Sequence, residues 1–190
     1  MTIGLFFGSF NPIHHGHLQL AETFYSIAHV DEVWWMLSPQ NPHKSPEILA
    51  PFKDRWNMLR DALNKPYFIP SDFESQLPTP SYTINTLHAL KENFPSHNWK
   101  ILMGQDSWNQ LPTWKEGAII ENNFDIWVYT RPREQPLRSG KFTSLDFTPW
   151  DISSSDIRNQ LSQPSATMEI PEILPCTLDY IVKHQLYQAK

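Results

Sequence analysis

The feature that constrains this chain most is a continuous apolar run, Ile3 to Phe7, that stops at Gly8 and passes through Ser9-Phe10-Asn11-Pro12-Ile13-His14-His15-Gly16-His17 into a helical pattern. A run without polar alternation suits a parallel strand covered on both faces. Leu18, Ala21, Phe24, Tyr25 and Ala28 then recur at helical spacing, and Val33 to Leu37 forms a second apolar run. Strand, helix and strand in that order predict a right-handed parallel crossover, with binding loops at the carboxyl ends of the strands. Trp34 and Trp35, inside the second run, are expected in the core.

The alternation continues. Phe52 to Leu63 reads as a helix with Trp56, Leu59 and Leu63 on one face and Arg55 near its start, and Tyr67 to Phe73 as a third strand ending near Asp72 and Glu74. Ser81 is the candidate N-cap of a helix carrying Leu87 and Leu90. Trp99 to Met103, Phe124 to Thr130 and Phe142 to Phe147 read as further strands. Pro175 opens a last helix that packs through Leu178, Ile181, Val182 and Leu186; Tyr187 closes the chain and is assigned no chemistry.

Composition excludes several classes of function. The 190 residues suffice for one well-buried domain and are short for two, and eight Trp and eleven Phe supply a large core. A net charge of −5 argues against a general surface for nucleic-acid polymers or anionic membranes, while leaving room for a small basic pocket. A single cysteine, Cys176, rules out a disulfide framework and a Cys-based zinc site, and is expected to be buried or packed against a helix. No apolar run approaches a membrane span and the N-terminus lacks a signal-peptide pattern, so a cytoplasmic location is expected. A homo-oligomer is left open.

Two stretches carry the chemistry. A strand-to-helix turn presents backbone N–H groups and the positive end of a helix dipole, which suit phosphate. Gly8 and Gly16 allow close backbone approach, Pro12 stiffens the turn, and His14 and His17 can face one pocket if the helix begins near Gly16. Taken alone, the same residues also fit a tight connection with solvated side chains. The second stretch is Ile152-Ser153-Ser154-Ser155-Asp156-Ile157-Arg158. Ser153 and Asp156 resemble a capping box; that leaves further hydroxyls at a helix start and Arg158 one turn inside, groups that hold phosphate oxygens. Two phosphate-binding helix starts without a candidate covalent nucleophile point to a phosphate displacement run by positioning. Lys44 can reach a phosphate or lie solvated, and Asp106 can accept from a ribose or cap the helix after it.

The Gly8–Leu18 stretch resembles the signature of the H-x-G-H nucleotidylyltransferases, most of all the nicotinate mononucleotide adenylyltransferases. Pro42-His43-Lys44, Ser81-Tyr82-Thr83, Gly104-Gln105-Asp106 with Trp114, Arg131-Pro132 and the Ile152–Arg158 stretch follow in that family's order. Together, element order and resemblance give an α/β fold: a Rossmann-like doubly wound parallel sheet with helices on both faces, one domain over residues 1–190. The resemblance implies transfer of the adenylyl group of ATP to nicotinate mononucleotide, releasing pyrophosphate, with Mg²⁺ carried on the ATP phosphates and no dedicated protein metal site. His14, His17, Lys44 and Arg158 are then the candidate catalytic residues. Gly8, Ser9, Phe10, Gly16, Gly104, Asp106, Ser154 and Ser155 are candidates for ATP, and Asn11, Tyr82, Thr83, Trp114, Lys115 and Arg131 for the acceptor. Trp114 as an aromatic platform competes with a structural Trp114. Asn11 departs from the family's frequent Asp, removing a carboxylate near the triphosphate. The alternatives are nicotinamide mononucleotide or phosphopantetheine as acceptor, or a nucleotide sensor without turnover; a dinucleotide-dependent oxidoreductase is excluded because the first loop lacks G-x-G-x-x-G.

Overall fold

A parallel sheet is built outward from the first apolar run. In the computed structural model, which describes residues 1–42, 48–130, 136–147, 150, 152–163 and 170–188, the strands are β1 (Thr2–Gly8), β2 (Glu32–Leu37), β3 (Phe68–Ser71), β4 (Asn98–Gly104), β5 (Asp125–Tyr129) and β6 (Thr143–Leu145). They lie in the order β3-β2-β1-β4-β5-β6, every pairing parallel. Chain order reverses between β1 and β4, and a doubly wound sheet opens its binding crevice at such a switch point. The register sets Gly8 beside Leu37 and Gly104 beside Tyr129, so these four residues mark the carboxyl edge.

Helices cover both faces, which is why the strands need no polar alternation. Helices α1 (His15–Ala28), α2 (Phe52–Ala62), α6 (Ser154–Leu161) and α7 (Pro175–Lys183) supply Phe24, Met58, Ile157 and Ile181 to one apolar cluster with Phe6, Trp35 and Leu37. The opposite cluster joins Ile3, Leu5, Ile101 and Val128 to Leu87 of α3 (Thr83–Asn93), Trp108 of α4 (Gln105–Gln110) and Ile120 of α5 (Gly117–Asn123). Trp35 is fully buried, as expected of the core. No helix among the described residues is long and apolar enough to cross a membrane.

Several local expectations are corrected. Strand β3 is shorter than Tyr67 to Phe73: Pro70 lies within it, tolerated because the strand is at the sheet edge, and the chain then turns into a 3-10 segment, Phe73–Gln76. Tyr82, not Ser81, is the N-cap of α3, and the Ser81 hydroxyl instead faces the Gln40 amide at 3.5 Å. Cys176 is exposed, although its thiol still reaches helix α2 at Asp61 O, 3.7 Å away, and Val182 is also exposed.

The carboxyl edge is held by a buried charge. Arg55, only 1% exposed, donates to four carbonyl oxygens: Ser9 and Ser38 at 2.9 and 2.8 Å, Pro39 at 3.0 Å and Ala50 at 2.9 Å. Burial pulls its pKa down to about 10, which still leaves it protonated at neutral pH. Glu74 completes the brace from the other side, accepting from the hydroxyls of Ser38 at 2.6 Å and Thr86 at 2.7 Å, and its own burial raises its pKa. Arg55→Met leaves four carbonyls without their charged donor and is expected to cost about 3 kcal/mol or more in urea unfolding. A loss under about 1 kcal/mol would show that the loops after β1 and β2 hold their shape unaided.

Candidate active site

At the carboxyl edge a cleft of about 350 Å³ opens between the loop after β1, the N-termini of α3 and α6, and the ends of β4 and β5. Its floor is shaped by an unusual backbone. Phe10 adopts φ 41°, in the left-handed region, and its ring packs against both Phe6 and Trp35, at centroid distances of 5.4 and 5.3 Å, in a triangle whose third side is the Phe6–Trp35 contact at 5.0 Å. Gly8 makes room for it, since a Cβ at position 8 would come within 2.7 Å of that ring. The buried Phe10 ring therefore supports the site instead of offering a face to a nucleotide; it meets His17 edge-on at 5.3 Å.

The helix opens at His15, near Gly16 as expected. His14 is the N-cap of α1, in extended geometry and without a side-chain capping bond, and its ring stacks on that of His17 at 3.7 Å. Both imidazoles line the cleft. Gly16 is not part of the cleft lining: it is buried against His14, where a Cβ would approach that ring to 3.1 Å. Its lack of a side chain is what lets the two rings stack.

At the start of α6, Ser153 is the cap and exchanges bonds with Asp156, accepting from its amide at 3.1 Å and donating to its carboxylate at 2.6 Å. The N-cap half of the capping box forms, with the Asp156 carboxylate taking the Ser153 hydroxyl in place of its backbone N–H, and Ser154, Ser155 and Arg158 are left on the cleft. Ser154 Oγ donates to Pro12 O at 3.1 Å, while Arg158 donates to Asn11 O at 2.7 Å, Ser154 O at 3.1 Å and Ser155 Oγ at 3.1 Å. The two motifs, separated by most of the chain, are thereby tied into one anion-binding wall.

The remaining candidates divide between the other two sides. Gly104 ends β4 and Asp106 stands exposed in the first turn of α4, so the chain takes its cap from Gly104 and leaves the carboxylate at the cleft. A Cβ on Gly104 would meet Asp106 Oδ1 at 2.5 Å and the Tyr129 hydroxyl at 3.1 Å. On the far wall, Tyr82, Thr83, Trp114 and Lys115 come together. Lys115 donates to Asn85 Oδ1 at 3.2 Å and sits 5.2 Å above the Tyr82 ring, which brings a positive charge to the half-buried Trp114.

Asn11 lines the cleft and is also bonded within the protein. Its amide is taken up by the protein: Nδ2 donates to Ile48 O at 2.8 Å, and Oδ1 accepts from Ala50 N at 3.0 Å and from the Tyr187 hydroxyl at 2.8 Å. Lys44 and Arg131 lie outside the described residues. Sequence reasoning missed Glu74, Tyr129 and Tyr187 and gave Arg55 no part in the site. Their partners are distant backbone carbonyls and side chains, so no local spacing announces them.

Comparison with known proteins gives a consistent set of relatives. The cytidylyltransferase-like family model matches residues 5–160. A protein of Cytophaga hutchinsonii named "probable nicotinate-nucleotide adenylyltransferase" is 41% identical over 167 residues, covering 86% of this chain and 87% of its own. One of Flavobacterium psychrophilum with the same name is 42% identical over 196 residues, with both chains covered in full. Among solved structures, Plasmodium falciparum nicotinic acid mononucleotide adenylyltransferase complexed with NaAD superposes with a TM-score of 0.79 over 98% of this chain and 97% of its own, at 22% identity, a likeness of fold.

The stacked histidines generate a direct prediction. If they hold charge that develops during phosphate displacement, His17→Ala lowers kcat by roughly 10²–10³, the scale for losing one transition-state donor. Steady-state rates showing an unchanged kcat would remove His17 from the mechanism.

Proposed function

The chain belongs to the cytidylyltransferase-like family, and from that premise we propose that it transfers the adenylyl group of ATP to nicotinate mononucleotide, forming nicotinate adenine dinucleotide and pyrophosphate. The observation that carries this reading is the stacked His14–His17 pair gathered with Ser154, Ser155 and Arg158 on one cleft, with an aromatic and cationic wall beside them. Two anion sites and a third site for an aromatic acceptor are what a nucleotidyl transfer requires.

In this reaction an oxygen of the acceptor's 5′-phosphate attacks the α-phosphorus of ATP. A new P–O bond forms as the bond to the β-phosphate breaks, and that electron pair leaves with pyrophosphate. The attacking phosphate is already ionised at neutral pH, so no general base is needed. Catalysis then rests on alignment and charge stabilisation. His14 and His17 donate hydrogen bonds to the triphosphate, His17 at the α-phosphate and leaving group. Arg158, with Ser154 and Ser155, grips the β and γ phosphates through the Nε and Nη2 protons that its bonds to Asn11 O, Ser154 O and Ser155 Oγ leave over. Lys44 is assigned to the same phosphates from its place in the sequence. Asp106, at the end of β4, accepts from ribose hydroxyls.

The donors around the cleft, imidazole, guanidinium and hydroxyl, suit phosphate oxygens, and no cluster of three His, Cys, Asp or Glu side chains that would hold a metal occurs among the described residues. That inventory fits Mg²⁺ carried in by ATP and held mainly by phosphates and water. Bound there, the ion would supply charge neutralisation to the pyrophosphate group.

Nicotinate stacks on Trp114, an arrangement worth roughly 0.5–1.5 kcal/mol beyond area burial. The test is pyrophosphate release from ATP and Mg²⁺ with nicotinate mononucleotide, nicotinamide mononucleotide or phosphopantetheine in parallel. The nicotinate nucleotide is expected to give the highest kcat/KM, and Trp114→Ala to raise the KM for that acceptor several-fold while sparing ATP. Turnover with phosphopantetheine alone would overturn the acceptor assignment. Absence of turnover with all three would leave a nucleotide sensor.

A further inference from the structure

After α7 the chain does something costly. Gln185 and Tyr187 both adopt left-handed backbone conformations, φ 51° and 63°, and neither is glycine. Each such residue costs about 1–2 kcal/mol and persists only where the surroundings hold it in place. The turn is closed by the Leu186 amide, which donates to Ile181 O at 3.0 Å, and it returns Leu186 and Tyr187 onto the apolar cluster that contains Phe10 and Ile13. The result is a phenol hydroxyl 2.8 Å from Asn11 Oδ1, on the catalytic loop itself.

Asn11 is a hub. The oxygen that accepts from Tyr187 also accepts from Ala50 N, its Nδ2 donates to Ile48 O, and its main-chain oxygen accepts from Arg158. Ala50 in turn gives its carbonyl to Arg55, so the tail, the 48–50 segment and both phosphate motifs meet at one residue. An aspartate here has no proton to give Ile48 O, which accounts for an amide at this position. Burial raises the Tyr187 pKa, against the opposing charges of Arg55 and Arg158, so the phenol remains a donor.

We propose that Tyr187 is a positioning residue for the triphosphate side of the site, acting through Asn11 on the first loop and on Arg158. The acceptor wall belongs to the other face of the sheet, where Tyr82 and Trp114 pack against the second cluster, so the effect is confined to ATP. The inference rests on the proposed adenylyl transfer for its functional meaning.

The test measures calorimetric affinity for a non-hydrolysable ATP analogue, together with steady-state kinetics, in wild type, Tyr187→Phe, Asn11→Ala and the double variant. Loss of one hydrogen bond is expected to weaken the analogue roughly 3- to 10-fold in Tyr187→Phe. The KM for nicotinate mononucleotide stays unchanged, and the double variant binds no more weakly than Asn11→Ala. Unaltered analogue affinity, equal loss toward both substrates, or additive losses in the double variant would each overturn the proposal. Should Tyr187→Phe not fold, Asn11→Ala removes the same bond from the loop side and must show the ATP-selective loss; equal loss there also overturns it. A wild-type protein that binds no analogue would instead bring down the proposed function, and this inference with it.

Discussion

One buried guanidinium organises the working edge of the molecule. A parallel sheet delivers its strands to the edge, but it leaves the carbonyls of the loops beyond them unpaired, and an unpaired buried carbonyl is costly. Arg55 answers four of them at once and so fixes the loop after β1 against the loop after β2. A charge with little solvent access is tolerable only when its donors are nearly all used, and here they are. Glu74 holds the second of those loops to α3 through Ser38 and Thr86. The phosphate-binding geometry inherits its rigidity from this brace.

On that base the protein assembles a site from helix starts. His14 makes no side-chain capping bond and its ring lines the cleft, whereas Ser153 caps α6 through the Asp156 amide and releases its neighbours. The two helix N-termini then contribute dipole and donors to the same space, which favours a polyanion over any neutral ligand. Positioned donors act on charge that moves during the reaction, so a chain without a covalent nucleophile can still catalyse.

The fold was largely legible because continuous apolar runs and helical spacing state the alternation directly; Ile3 to Phe7 and Val33 to Leu37 lie within β1 and β2. Edges were less legible: β3 ends early because Pro70 and the turn to Glu74 follow tertiary demands. The histidines, Ser154, Ser155, Arg158 and Trp114 were legible as motif residues, and the structure gathers them in one cleft. Asn11, Phe10 and Gly16 have a part that motif reading does not announce: their side chains, or the lack of one, also serve packing and loop geometry. Arg55, Glu74 and Tyr187 show the limit most clearly. Their meaning lies in bonds to residues far off in sequence, and a single sequence carries no local signal for such pairs.

The measurement that bears most directly on the account is a structure with a non-hydrolysable ATP analogue and Mg²⁺. The account places the triphosphate between the His14–His17 pair and the Ser154–Ser155–Arg158 turn, with the ribose at Gly104 and Asp106 and the Trp114 wall left for the acceptor. A triphosphate lying along Tyr82 and Trp114, with the histidines and Arg158 untouched, would contradict it.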